Sequence, residues 1–189
     1  LNTTLRNIAS IQTGFFAKPV SVGEGVYLQA KNFDENGFIK YPLHNDLEMT
    51  DINPKHLLRN GDILFAAKGT KNFAALYNSE NGLAVASTSF FVIRLTNSIR
   101  DKILPEFLVW FINNPPSLKL LKDQAIGTSI VSISKSVLGE LEISVPSLAI
   151  QKAILKIAEL RNRERKIKSE IENLKEKQVQ TTILDALNK

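Results

Sequence analysis

The residues best suited to chemistry in this 189-residue chain gather in four short polar stretches. QTGFFAKP carries Gln12, Thr13, Gly14 and Lys18; LQAKN carries Gln29, Lys31 and Asn32; AKGTKN carries Lys68, Gly69, Thr70, Lys71 and Asn72; ASTSF carries Ser87, Thr88 and Ser89. Side chains of these types read base edges and hold phosphates. Gln and Asn amides pair with adenine, Lys reaches the acceptors of guanine, and hydroxyls or backbone N–H groups bind phosphate oxygens. Taken singly, each stretch is explained as readily by an ordinary turn, since Gly, Asn and Thr favour turns for backbone reasons.

The catalytic alternatives fail on residue type or spacing. Asn114-Pro115-Pro116-Ser117 resembles the tetrapeptide of amino-methyltransferases, in which the Asn side chain and a proline carbonyl hold the target amine and an aromatic residue stacks on the flipped base. Here Ser117 stands in place of the aromatic, and no glycine-rich strand-to-helix turn is available for S-adenosylmethionine. A helix stop is the better reading of the proline pair. No segment matches the phosphate-binding G-x-x-x-x-G-K-[ST] pattern. A nuclease-like Glu-x-Lys occurs only as Glu164-Arg165-Lys166, inside a predicted long helix with no convergent acids. Asp62 reads as a turn former and Asp123 as a helix-surface acid. The chain has no cysteine, and His44 and His56 are its only imidazoles. They lie in unrelated polar contexts, so neither a base for a serine nucleophile nor a metal site is expected. The expectation is a non-catalytic chain with no cofactor and no metal.

These tips need a scaffold, and residues 1 to 147 read as one. Hydrophobic residues make up 43% and charged residues 23%, the balance of a globular protein. No apolar run approaches the roughly 18 to 20 residues that would cross a bilayer, and LNTTLRNIAS has no secretory pattern; a cytoplasmic protein is expected. GVYLQAKNF alternates, DENGF signals a turn, GDILFAA is a short apolar run behind a Gly-Asp turn, and VASTSFFVIRL is a long β-rich run. Helices are predicted over LPEFLVWFINN and SLKLLKDQA. After Gly127-Thr128 the chain alternates β-branched residues and reaches a final strand, LEISV. The fold class is α+β, with a mixed or mostly antiparallel sheet.

At Pro146 the pattern changes. Neither Gly nor Pro occurs from Ser147 to the end, and a heptad frame places Ile150, Ala153, Ile157, Leu160, Ile167, Ile171 and Leu174 on one seam, interrupted by Glu164, Gln178 and Thr181. Residues 148 to 189 are predicted as a long coiled-coil helix of roughly 60 Å at ~1.5 Å per residue. The net charge is +5. Residues 1 to 147 hold 14 Lys and Arg against 13 Asp and Glu, and residues 148 to 189 hold 10 against 6. The basic excess therefore sits in the helix, notably at Arg161, Arg163, Arg165, Lys166 and Lys168, as a solvated face or a contact for phosphate or an acidic surface.

In order and spacing, LRNIASIQTG, LLRNGDILFAAKGT, ASTSFFVIRL, AIGTSIVSISKSVLGELEISVP and PSLAIQKAILKIAEL together resemble half of a specificity subunit of type I restriction-modification systems. The resemblance covers nearly the whole chain. It implies a target-recognition domain followed by a conserved helix, antiparallel pairing of two such helices, and a bipartite site in double-stranded DNA. It also implies methyltransferase (M) subunits that perform the chemistry and restriction (R) subunits joined through the complex. Pro146 and Gln151 keep the family's pattern at the start of the helix, whereas Ala149 and Ile150 stand where acidic residues are common. One recognition domain and one helix imply either a half-length subunit that forms a homodimer or a segment of a longer one. On this basis Lys68, Gly69, Thr70, Lys71 and Asn72 are the first candidates for DNA contact. Thr13, Lys18, Lys31 and Asn32 come next, and Ile150, Ile157, Leu160, Ile167, Ile171 and Leu174 are the candidates for helix pairing. The rival readings are a coiled-coil interaction module without a nucleic-acid role and a stand-alone DNA methyltransferase.

Overall fold

The computed structural model describes residues 2–34, 37–69, 71–125 and 131–187, with the side chain of Val131 excepted. It divides into two compact units, Leu1–Leu148 and Ala149–Lys189. In chain order the first unit holds β1 (Asn2–Thr4), α1 (Leu5–Ile8), β2 (Ala9–Thr13), β3 (Val26–Leu28), β4 (Ile63–Ala66), β5 (Lys68–Gly69), β6 (Ala74–Leu76), β7 (Ala84–Ala86) and β8 (Phe90–Leu95). Then come α2 (Pro105–Asn113), α3 (Pro115–Asp123), β9 (Val131–Ser132), α4 (Lys135–Gly139) and β10 (Glu142–Ser144). A single helix, α5 (Leu148–Leu187), follows.

The central sheet has the order β2-β8-β4-β6 and is antiparallel throughout. Its middle strand β4 is buried at all four positions, which is why Ile63 to Ala66 form a continuous apolar run instead of alternating. Leu64, Ala66, Phe90 and Val92 join Val26, Leu28, Phe33 and Phe73 in one core cluster. Around this sheet β3 pairs parallel with β7, β5 pairs antiparallel with β9, and β1 pairs antiparallel with β10. The architecture is an α+β unit with mostly antiparallel pairing, followed by a long helix.

Two local readings are revised by tertiary contacts. VASTSFFVIRL is not one strand: β7 ends at Ala86 and β8 starts at Phe90, because the chain turns where the Phe90 N–H bonds to the Ser87 carbonyl (3.0 Å). Within ISKSVLGELEISV lies helix α4, started by Ser134, whose hydroxyl accepts from the Val137 N–H at 3.2 Å. The Gly127-Thr128 turn lies outside the described residues. Asn114 ends α2 and also caps α3, with Pro115 at the first helical position. The proline pair therefore both stops one helix and starts the next.

Candidate nucleic-acid interface

The strand register brings the polar stretches to one end of the sheet. Thr13 lies opposite Phe91 across β2 and β8, Ala66 lies opposite Phe90 across β4 and β8, and Phe65 lies opposite Ala74 across β4 and β6. The C-terminal ends of β2 and β4 and the N-terminal ends of β8 and β6 thus share one edge. All loops that leave these ends are neighbours.

The turn between β7 and β8 ties them together. Its Phe90 carbonyl accepts from the Gly14 N–H (2.9 Å), and the Ala86 carbonyl accepts from the Phe15 N–H (2.8 Å). The Ser87 N–H donates to the Leu28 carbonyl (2.9 Å), and the Ser89 carbonyl accepts from the Ala67 N–H (2.9 Å). Three segments distant in sequence therefore converge on one turn through backbone hydrogen bonds. Gly14 is required by this approach: a Cβ there would lie 2.0 Å from the Ser87 carbonyl oxygen. The Ser87 and Ser89 hydroxyls bond each other at 2.7 Å, and Ser87 is buried.

The candidate residues divide into outward-facing groups and supports. Thr13, Lys18, Lys31, Lys68 and Lys71 are exposed, on segments that adjoin this edge in sequence, and Gly69 is partly covered. Among the described residues, Lys18, Lys31 and Lys68 take part in no ion pair. Lys68 and Gly69 pair with Ser132 and Val131, and the Ile133 N–H bonds to the Ala67 carbonyl at 3.0 Å, so a second strand braces this tip. Asn72 is a support: it is buried, and its amide donates to the Ala66 carbonyl at 2.9 Å, which closes the loop it was expected to present. Asn32 is half-buried, and its Oδ1 accepts from the Gln29 N–H at 2.8 Å in a reciprocal cap of the turn Ala30–Asn32. Lys31 is left as the outward group of that turn. Thr70 lies outside the described residues.

The opposite end of the sheet carries a different arrangement that composition did not signal. Asp62, expected to be a turn former, is 1% exposed. It accepts from Arg94 Nε at 2.7 Å and Nη2 at 2.5 Å, and from the Arg59 N–H at 2.8 Å. The Arg94 guanidinium is held protonated beyond its ordinary range, chiefly by this hydrogen bond to Asp62. The turn reading is also right, since Gly61 has φ +85°. The pair lines a cleft of about 660 Å³ with Tyr77, Arg100 and Glu106, remote from the edge where the polar tips meet. Asn113, next to the methyltransferase-like tetrapeptide, exchanges side-chain hydrogen bonds with the Ala74 backbone at 2.7 and 2.8 Å, and Ser117 is buried. The tetrapeptide is a packed helix junction. Among the described residues no three His, Asp or Glu side chains are grouped closely enough to hold a metal ion, and no helix is long and apolar enough to cross a membrane.

In the second unit, Ile150, Ile157, Leu160, Ile167, Ile171 and Leu174 are each 47 to 59% exposed, and Val179, Ile183, Leu184 and Leu187 extend the apolar exposure toward the C-terminal end. Lys168–Glu164 and Lys156–Glu159 ion pairs run along the helix surface.

Comparison with known proteins gives this arrangement a family. None of the curated protein sequences compared with the chain matches it. Solved structures do match. One is described by "complex assembly and conformational transition of the type I R-M system" (TM-score 0.64, 16% identity, 87% of this chain, 38% of the other). Another is the type I restriction-modification S subunit from M. genitalium (0.58, 17%, 86% and 39%). A third is the HsdS subunit from Thermoanaerobacter tengcongensis (0.60, 23%, 88% and 43%). At these identities the likeness establishes the fold, and the chain spans about two fifths of the length of each. The sequence itself matches the profile of the type I restriction modification DNA specificity domain over residues 20–184, from the loop after β2 through nearly all of α5. The match takes in most of the mostly antiparallel unit together with nearly all of the long helix, and the chain belongs to the type I restriction modification DNA specificity domain family.

Proposed function

We propose that this chain is a non-catalytic DNA-recognition subunit of a cytoplasmic type I restriction-modification complex. The edge built around the Ser87–Phe90 turn reads one half of a bipartite site in double-stranded DNA. The observation that carries this reading is the convergence of the polar tips. Backbone hydrogen bonds from Gly14, Phe15 and Ala67, and the donation by Ser87 to Leu28, join at one turn the segments that carry the exposed Thr13, Lys18, Lys31, Lys68 and Lys71, which supports the reading. A rigid sheet that presents several exposed cations together suits phosphate positioning and base-edge readout. Residues 1–147 act as the recognition domain. Residues 148–189 act as the spacer and as the docking element for M subunits, which supply the chemistry, with R subunits joined through the complex.

The apolar stripe of α5 supports antiparallel pairing with the helix of a second copy. Such pairing covers Ile150, Ile157, Leu160, Ile167, Ile171 and Leu174 and sets two recognition units apart. The same stripe is the observation that favours the rival reading, a coiled-coil interaction module with no DNA role. Lys68→Ala with Lys71→Ala separates the two. Loss of two phosphate contacts lowers DNA affinity by at least tenfold in the assembled complex while the oligomeric state is unchanged. Normal binding and modification by the double variant would remove the edge from the DNA interface.

A further inference from the structure

Phe16 joins an exposed apolar ring to an unusually fixed backbone. The residue is 69% exposed, yet the chain is pinned on both sides of it. The Phe15 N–H donates to the Ala86 carbonyl at 2.8 Å, the Phe15 carbonyl accepts from the Tyr27 hydroxyl at 2.9 Å, and the Ala17 N–H donates to the same hydroxyl at 3.2 Å. Gly14, two residues earlier, bonds to Phe90 and admits no side chain. Phe15 turns its ring onto His56, with centroids 4.7 Å apart. Of the two consecutive phenylalanines, the scaffold uses one and presents the other.

A singly exposed hydrophobic residue needs no explanation when it sits on an unremarkable surface. Phe16 lies in sequence between Thr13 and Lys18, on the segment that leaves the edge proposed for DNA, and four hydrogen bonds fix the backbone around it while its side chain stays exposed. We propose that Phe16 is a specificity-determining residue that reads a thymine through its 5-methyl group in the major groove. This inference rests on the proposed DNA-recognition role. The thymine methyl is the one apolar feature among the base edges of that groove, and a phenylalanine ring is a suitable partner for it. Insertion between base pairs suits the geometry less well: the backbone on both sides of Phe16 is pinned by hydrogen bonds, which limits how far the ring can reach.

The test uses the full chain together with the subunits that co-purify with it. Selection from random duplexes identifies the preferred sequence, and each thymine in that sequence is then replaced by deoxyuridine, which lacks only the methyl. At one thymine the replacement lowers wild-type affinity by about fourfold, the worth of one buried methyl group. The same replacement has no effect on Phe16→Ala, while Phe16→Leu keeps part of the penalty. Leu83→Ala, an exposed apolar residue at the far end of β7, responds as the wild type does. Deoxyuridine tolerated at every position, a preferred sequence without thymine, or a penalty retained in Phe16→Ala overturns the assignment and leaves DNA binding intact. Equal weakening by Phe16→Ala on thymine and deoxyuridine duplexes also overturns it, in favour of a stacked wedge. If the wild type enriches no sequence, the DNA reading fails and this inference falls with it.

Discussion

At the scale of single residues, chemical type and structural role part company. Asn72 has the right side chain for reading adenine, but burial and the Ala66 carbonyl claim its amide. Asp62 reads as a turn residue and proves to be one half of a buried ion pair whose partner lies 32 positions away. The side chains of Asp62 and Arg94 are 2% and 14% exposed, so removing the carboxylate strands a guanidinium in low dielectric. Asp62→Ala costs about 3 to 5 kcal/mol of stability, measured by chemical denaturation, and Asp62→Leu with Arg94→Met recovers much of it. A loss below ~1 kcal/mol for the single change would show that water reaches the guanidinium. His56 makes a second case. Burial, then the charge of Lys55, holds its imidazole below the ordinary value of 6.5, so the folded chain binds fewer protons than the unfolded one. The stabilisation is present above about pH 6.5 and is lost as the pH falls below it. His56→Phe keeps a ring against Phe15 and removes the titration. Its stability profile between pH 7 and 5 is therefore flatter than that of the wild type, and parallel profiles would contradict the assignment.

At the scale of elements, what could be read from the sequence was local and what could not was pairing. The helices over LPEFLVWFINN and SLKLLKDQA, the strand after Gly61-Asp62 and the long helix after Pro146 follow from periodicity, breakers and caps within a few residues of each element. The break in VASTSFFVIRL does not, because β-branched and aromatic residues continue across it. The chain turns there because Ser87 and Phe90 are held by β3 and β2, which lie more than 50 residues away in sequence. The polar tips were visible one by one; their convergence is a property of strand order, which no local pattern encodes. Gly14 is where that convergence is most vulnerable. A methyl group at this position meets the Ser87 carbonyl at 2.0 Å, so either β2 or the turn must shift. Gly14→Ala costs about 1 to 3 kcal/mol of stability and at least tenfold in DNA affinity, since it separates Thr13 and Lys18 from the rest of the edge. Wild-type binding by a folded Gly14→Ala chain would show that the loops act independently.

At the scale of the whole molecule, charge and helix pairing make one joint prediction. The net charge of +5 says little by itself, because residues 1 to 147 are nearly neutral and the excess lies in residues 148 to 189. What matters for DNA is how many cations meet phosphate at once, and counterion release counts them: log K falls against log salt with a slope of about −0.9 per phosphate neutralised. Lys18, Lys31, Lys68 and Lys71 give a slope of about −4 for one recognition unit. Two units held by paired helices on a two-half site double it to about −7. Ile157→Asp, Ile167→Asp and Ile171→Asp together place three carboxylates on the seam, where pairing would bury them unpaired at a cost of several kcal/mol. The triple variant sediments as a monomer, and its salt slope falls to the single-unit value, while each unit keeps its own contacts. An unchanged mass would sink the helix pairing. A monomer that retains the full slope would place the phosphate contacts elsewhere, and the basic run around Arg161 to Lys168 would then replace the sheet edge as the phosphate-binding surface.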